Sequence, residues 1–303
     1  MRRARLGRTG MAAAMATAVA VCVTAGAGAP AASAAAQLCG ARTGPAPATY
    51  RHVVVIMDEN QSYGDIVGRS SAPYLNKVAA ACGLATNYRG VTHPSHPNYM
   101  AITGGIRTPA GYIAAPNIFR QVRRAGGSWR VYQESMPRRC ARTSSGLYAA
   151  RHNPAVYYRR IGDRQCRRHV VPLGSRRNGA LRRALDHRST PAYMFVTPNL
   201  CHDMHDCGVA AGDLWVSAWV RMIVKTRAYR AGHTALFLTF DEGSNRNGHI
   251  ATVVVSPYTP VGKVSHKRHS HFSLMRTTAN LLGIRRCLGK ACSARGLSKA
   301  FRL

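Results

Sequence analysis

Ser95 stands in the stretch Thr92-His93-Pro94-Ser95-His96-Pro97-Asn98, with a proline and a histidine on either side. Proline lacks an N–H and fixes its own φ, so two so close together exclude a helix interior or a central strand and place the hydroxyl on a stiff loop. The run from Asn98 to Thr103, closed by Gly104-Gly105, reads as the first turns of a helix. A hydroxyl at a helix N-terminus, near free N–H donors and the positive end of the dipole, suits attack on an anionic centre. His93 and His96 are placed to hold an anion or move a proton.

Carboxylates are the second set of groups with chemical potential. The chain has 11 Asp and Glu against 43 Lys and Arg. Seven of the acids fall in three places: Asp58-Glu59, then Asp203, Asp206 and Asp213, then Asp241-Glu242. Clustered carboxylates repel unless a cation or a catalytic task holds them together, although the abundant arginines could pair with them instead. The stretch from Asn199 to Cys207 packs His202, Asp203, His205 and Asp206 between two cysteines, a donor set that suits a divalent metal. Near the C-terminus, His266, His269 and His271 lie in a basic loop.

These groups need a frame. Val53 to Met57 is a continuous apolar run, as in strands buried on both faces, and it ends in Asp58-Glu59-Asn60. Ala192 to Val196 and Ala235 to Phe240 read the same way, and the second ends in Asp241-Glu242-Gly243. Ile250 to Val255 and Trp129 to Gln133 add two further strands. Helices are expected at Pro73 to Ala81, Ile118 to Ala125, Asp213 to Thr226 and Phe272 to Leu282. In the third of these, Leu214, Trp215, Ala218, Trp219 and Met222 share one stripe, which reads as core. Strand, acidic loop and helix recur, so the sequence predicts an α/β fold with a largely parallel sheet and its ligands at the strands' carboxyl ends. The region from Thr108 to Arg188 is less legible: Tyr148, His152, Tyr157 and Tyr158 lie among Arg-rich turns, a mixture that can stack on nucleic-acid bases, but no repeat or known module frames it.

Residues 1–36 carry Arg2, Arg3, Arg5 and Arg8, an apolar run from Met11 to Ala29, and small residues around Ala34. This is the pattern of a secretory signal, which predicts a secreted, extracellular protein with one domain over residues 37–303. No later stretch approaches the apolar length of a transmembrane span. Eight cysteines follow the leader, an even number that in an oxidising compartment suggests four disulfides. Sequence order favours Cys39–Cys82, Cys140–Cys166, Cys201–Cys207 and Cys287–Cys292. Without the four leader arginines the net charge falls from +32 to +28, enough to draw the chain toward polyanions or anionic surfaces.

Met57 to Asn60 with Ser62, Thr92 to Gly105, Pro198 to Asp206 with Asp213 and Trp215, Asp241 to Gly243, and Ser270 to Leu282 together resemble the successive motifs of the bacterial phosphoesterase family. That family holds acid phosphatases and phospholipases C within the alkaline phosphatase superfamily, and the chain is most similar to small secreted actinobacterial acid phosphatases. The resemblance implies an alkaline-phosphatase-like three-layer sandwich. It implies that Ser95 is the nucleophile and that Glu59, Asn60, Asp241 and Glu242 bind a divalent metal ion. His205 and Asp206 match a motif of the small-phosphatase branch, with Asp206 a further metal ligand, and His271 matches the histidine that opens the last helix. Classical two-metal relatives use Asp-His pairs where this chain has Glu-Asn and Asp-Glu, which leaves the number and identity of the ions open. The implied activity is hydrolysis of phosphate monoesters, including phosphoinositides or nucleotides, through a phosphoserine. The alternatives are a phosphodiesterase or phospholipase C of the same family, and a non-catalytic polyanion-binding protein. A serine esterase is disfavoured because no Gly-x-Ser-x-Gly elbow is present.

Overall fold

A computed structural model describes residues 38–108 and 111–303; the expected leader, residues 1–36, lies outside them. The described residues form one compact unit. The strands are β1 (His52–Asp58), β2 (Gly83–Arg89), β3 (Trp129–Gln133), β4 (Val170–Pro172), β5 (Tyr193–Thr197), β6 (Thr234–Phe240), β7 (His249–Val255), β8 (Lys263–Ser265) and β9 (His269–Ser270). The helices are α1 (Tyr63–Ile66), α2 (Pro73–Ala81), α3 (His96–Gly104), α4 (Ile118–Arg124), α5 (Asp163–His169), α6 (Ala180–Asp186), α7 (Gly208–Val224), α8 (Arg227–Arg230), α9 (His271–Leu281) and α10 (Ser298–Phe301).

All nine strands form one sheet in the order β4-β3-β5-β1-β6-β7-β2-β8, with β9 also against β2. Every pairing is parallel except the two that β7 makes, with β6 and with β2. The α/β architecture with a largely parallel sheet is therefore as the sequence predicts. Val53 to Met57 are completely buried because β1 runs between β5 and β6 under helices on both faces. Among the helices, α2, α6, α7 and α8 pack together as one group, and α3, α4 and α9 as another.

Two features set the site's position. Asp58, the last residue of β1, pairs with Phe240, the last of β6, so the acids that follow both strands emerge side by side. In addition, all nine residues of α3 are buried, which is why its sequence shows no polar face. Its cap, Gly105, has φ of +68°, and a Cβ there would lie 2.1 Å from the Leu288 carbonyl oxygen. Only glycine fits that close approach.

The four expected cysteine pairs are each joined. Two local readings need correction. α7 begins at Gly208, directly after the Cys201–Cys207 loop, rather than at Asp213. Within its stripe Trp215, Trp219 and Met222 are buried, but Leu214 is 72% exposed. Asp213 does structural work, since its two oxygens accept from the Tyr74 and Leu75 N–H groups at 2.9 and 2.7 Å, satisfying the open N-terminus of α2. Tyr148, His152 and Tyr158 are buried, so they present no surface on which bases could stack. No helix among the described residues is long and apolar enough to cross a membrane.

Candidate active site

Ser95 occupies the N-cap position of α3 but makes no capping hydrogen bond with its side chain. Instead its Oγ donates to Glu59 Oε2 at 2.9 Å. The loop before it is braced by Asn98, whose Oδ1 accepts from the N–H groups of Val91 and Thr92 while its Nδ2 donates to Glu242 Oε2 at 3.1 Å. Asn98 thereby ties the Ser95 loop to the acids beyond β6. Both ends of that link are buried.

Asp58, Glu59, Asp203, Asp241 and Glu242 are all at most 5% exposed, which puts five of the chain's 11 acids in one dry region. Glu59 is the hub. Its Oε1 accepts from the Tyr99 hydroxyl, its Oε2 accepts from Ser95, and His152 Nε2 lies 3.2 Å from the same oxygen. The other face of His152 reaches Asp203, with Nδ1 to Oδ2 at 3.2 Å. Burial, then the charges of Asp241 and Asp203, raise the Glu59 pKa well above the usual carboxylate range. Desolvation pushes Asp203 up to about 7 and Glu242 up to about 8, and it lowers His152 to about 3. In this dry region burial disfavours the charged form of the imidazole and raises the proton affinity of the carboxylates. A carboxylate with two hydroxyl donors and a raised proton affinity is suited to take a proton from one of those donors.

Asp241 accepts from the Asn60 N–H at 3.0 Å through Oδ1, while its Oδ2 is buried with no partner. Both Asp58 oxygens are also buried without partners, and the Asp58 pKa is raised well above normal by burial and three neighbouring acids. Buried carboxylate oxygens left unpartnered are costly, and a hard cation with oxygen ligands is one way to satisfy them. Glu59, Asn60, Asp241 and Glu242 carry oxygen donors of the kind such a cation takes and follow two neighbouring strands. Among the described residues, no three His, Cys, Asp or Glu side chains are already arranged as a metal cage.

The histidines divide by location. His93 Nδ1 lies 3.2 Å from Glu242 Oε1 and its Nε2 contacts the Asn245 carbonyl, so it sits at the site's rim with a partly exposed ring. His271 is fully buried: its Nε2 donates to the Asp241 carbonyl at 2.5 Å and its Nδ1 accepts from Tyr88 at 3.2 Å. That arrangement fixes a neutral tautomer, consistent with a pKa lowered to about 4 by burial, and it holds the backbone of Asp241. The His96 ring packs edge-to-face with Tyr157, centroids 4.2 Å apart, and both its ring nitrogens are buried and unpartnered, so it makes no hydrogen bond to the acids. His205 binds Asp206 at 2.6 Å and approaches the ring of His152 at 6.2 Å. Asp206 is half-exposed and paired outward, so the structure does not bring it to the carboxylate cluster; Asp203 is the acid of that loop which turns inward. Tyr99, His152 and Asp203 are the functional neighbours that local sequence spacing does not reveal. A partial signal exists for Tyr99, which lies one helical turn after Ser95 and so faces the same way.

The model of the Phosphoesterase family matches residues 68–285, a span that includes Ser95, Asp241 and His271 and leaves β1 and Glu59 outside. The chain is 29% identical over 246 residues to phosphatidylinositol-3-phosphatase of Mycobacterium tuberculosis, covering 78% of each chain. It is 30% identical over 185 residues to the phosphate-repressible acid phosphatase of Penicillium chrysogenum, covering 56% of this chain and 43% of the fungal protein. In fold it is similar to a Vibrio parahaemolyticus protein of the alkaline phosphatase superfamily, with a TM-score of 0.55, 10% identity, and 81% and 68% of the two chains covered. It is likewise similar to the lipoteichoic acid synthase of Listeria monocytogenes, with a TM-score of 0.55, 11% identity, and 82% and 74% covered.

Proposed function

The chain belongs to the phosphoesterase family, and from that premise we propose that it is a secreted acid phosphatase that hydrolyses phosphate monoesters through a phosphoserine at Ser95. Its relatives are hydrolases of phosphoric esters, and phosphatase activity is the coarser reading that they support directly. The observation that carries the finer reading is the 2.9 Å bond from Ser95 Oγ to Glu59 Oε2 at the start of a buried helix.

In the proposed reaction Ser95 Oγ attacks phosphorus, the new Oγ–P bond forms as the ester O–P bond breaks, and the hydroxyl proton passes to Glu59. His93, at the rim and braced by Glu242, protonates the leaving oxygen. In the second half water attacks the phosphoserine, gives its proton to His93, and Glu59 returns a proton to Ser95 as the Oγ–P bond breaks. At the start of α3 Pro97 has no N–H and the Asn98 N–H donates to the Ser95 carbonyl, so the Ser95 and His96 N–H groups are the backbone donors left for the phosphoryl oxygens. Glu59, Asn60, Asp241 and Glu242 would hold a divalent cation, which supplies charge neutralisation for the phosphoryl group. His152 and Tyr99 orient Glu59, and His271 and Asn98 fix the second acidic loop.

A dianionic monoester suits a chain whose net charge is +28 without its expected leader better than a monoanionic or zwitterionic diester. A phosphoinositide substrate is the specific suggestion of the mycobacterial relative. The test is a comparison of p-nitrophenyl phosphate with bis-p-nitrophenyl phosphate and p-nitrophenyl phosphorylcholine. Faster cleavage of the first, with a rate at low substrate that falls as salt is raised, supports the monoesterase. Preference for either of the others assigns the site to a diesterase or phospholipase C.

A further inference from the structure

A cavity of about 410 Å³ lies between α4 and the segment that leads into α5, walled by Arg120, Arg123, Arg124, Arg160, Trp129 and Gln165. It contains four guanidinium groups and no carboxylate. Among the described residues none of the four makes an ion pair or a side-chain hydrogen bond. The one acid on α5, Asp163, is engaged by Arg142 at 2.9 Å. Arg120, Arg123 and Arg124 follow i, i+3, i+4 spacing and share one face of α4, where like charges repel. Arg123 and Arg124 also sit in the last turn of α4, where cations favour the helix dipole. That does not account for Arg120 one turn earlier, or for Arg160 on a different segment.

The cavity is far from the acids. Trp129 begins β3 and pairs with Tyr193, which pairs with Val53 near the start of β1. Asp58 lies five residues further along β1, about 16 Å at a strand's rise, so the cavity opens at the opposite end of the sheet. Its wall is rigid, because the Trp129 ring is held between Phe119 at 4.8 Å and His169 at 4.6 Å. A second cavity of about 490 Å³ shares Trp129 and is walled by Arg130, Arg139 and Arg183.

We propose that these arginines form a second, non-catalytic site for a linear polyphosphate anion. A planar guanidinium presents paired donors that match phosphate oxygens, and four of them around one cavity neutralise several adjacent phosphates. The neighbouring arginine-walled cavity, which shares Trp129 as a wall, adds Arg130, Arg139 and Arg183 close by and favours a chain over a single phosphate. The site is independent of the chemistry proposed at Ser95.

Tripolyphosphate is the probe, titrated calorimetrically into three proteins: wild type, an Arg120→Gln, Arg123→Gln, Arg124→Gln variant, and a control carrying Arg227→Gln, Arg230→Gln and Lys299→Gln with the same loss of charge. Wild type and control are expected to bind alike. The α4 variant should bind at least about tenfold more weakly, since one charged hydrogen bond is worth about a decade. All three should hydrolyse p-nitrophenyl phosphate equally. Equal weakening in variant and control would reduce the effect to net charge, and a matching loss of hydrolysis in the α4 variant would place binding at the active site. Either result overturns the proposal. So does the absence of saturable binding in wild type, including the case where anionic phosphatidylserine vesicles bind through these arginines instead.

Discussion

Ser95 Oγ and Glu59 Oε2 lie 2.9 Å apart, joining the first turn of α3 to the end of β1 across 36 residues of sequence. Removing the hydroxyl removes the attacking atom, so Ser95→Ala should lower turnover of p-nitrophenyl phosphate by about three orders of magnitude or more. The substitution deletes one oxygen and adds no bulk, so the melting temperature should hardly move. Near-normal turnover in that variant would take the nucleophile's role away from Ser95.

The unpartnered Asp241 Oδ2 and the crowd of acids around it predict a cation. Metal analysis of the purified protein should find a divalent ion that is lost in Asp241→Ala, and exhaustive chelation should lower turnover. Full activity in demonstrably metal-free protein would mean that the cluster works through hydrogen bonds and shared protons alone.

His152 is the sole imidazole between Glu59 and Asp203 among the described residues, 3.2 Å from each. His152→Ala would leave two buried acids facing a void. It should cost about 3 kcal/mol of stability and should lower kcat more than it raises KM, because substrate does not need this ring for binding. His152→Asn, which keeps a polar group there, should recover part of the stability. A pure KM effect would show that His152 serves substrate binding instead of Glu59.

How much of this was legible follows from where each signal lies. Strand β1 is a run of residues buried on both faces, and its acids follow at once, so both could be read locally. Strand β2 could not: its sequence Gly-Leu-Ala-Thr-Asn-Tyr-Arg neither alternates nor forms an apolar run, and its register against β7 breaks between Ala85 and Tyr88. The contact of His152 with Glu59 spans 93 residues, and no spacing rule reaches that far. Asp203 and Asp206 look equivalent in sequence, yet only the first is turned inward, accepting from the His205 N–H at 2.9 Å through Oδ1. Leu214 misled because an amphipathic stripe fixes a helix's period better than the width of its buried face.

Gly90 lies beneath the second acidic loop. A Cβ there would come within 2.8 Å of the Asp241 carbonyl oxygen and 3.2 Å of the Glu242 Cα, both backbone atoms with little room to give. Gly90→Ala should therefore shift those two acids and reduce kcat by about a hundredfold, as expected for a misplacement on the order of 1 Å. The fold should survive with a loss of about 1–3 kcal/mol. Unchanged kinetics would show that the loop tolerates displacement and that its acids do not need fixed positions.

His96 gives the molecule a defined sensitivity to acid. Its ring is buried against Tyr157 with no polar partner, and burial lowers its pKa to about 4 from an ordinary value of 6.5. Below 6.5 the unfolded chain takes up a proton at this position that the folded chain refuses. Stability must then fall as pH drops from 6.5 toward 4, and this contribution levels off once both states are protonated. The loss is on the order of 3 kcal/mol. His96→Phe keeps the ring contact and removes the titration, so its unfolding free energy should decline less over that interval than wild type's. Urea melts of both proteins at several values between pH 7 and pH 4 provide the comparison, with turnover measured alongside. If His96 only packs, the variant should hydrolyse p-nitrophenyl phosphate normally; a large loss of kcat would instead mean that the ring turns toward Ser95 during the reaction, and parallel acid denaturation of the two proteins would mean that another buried group carries the proton uptake.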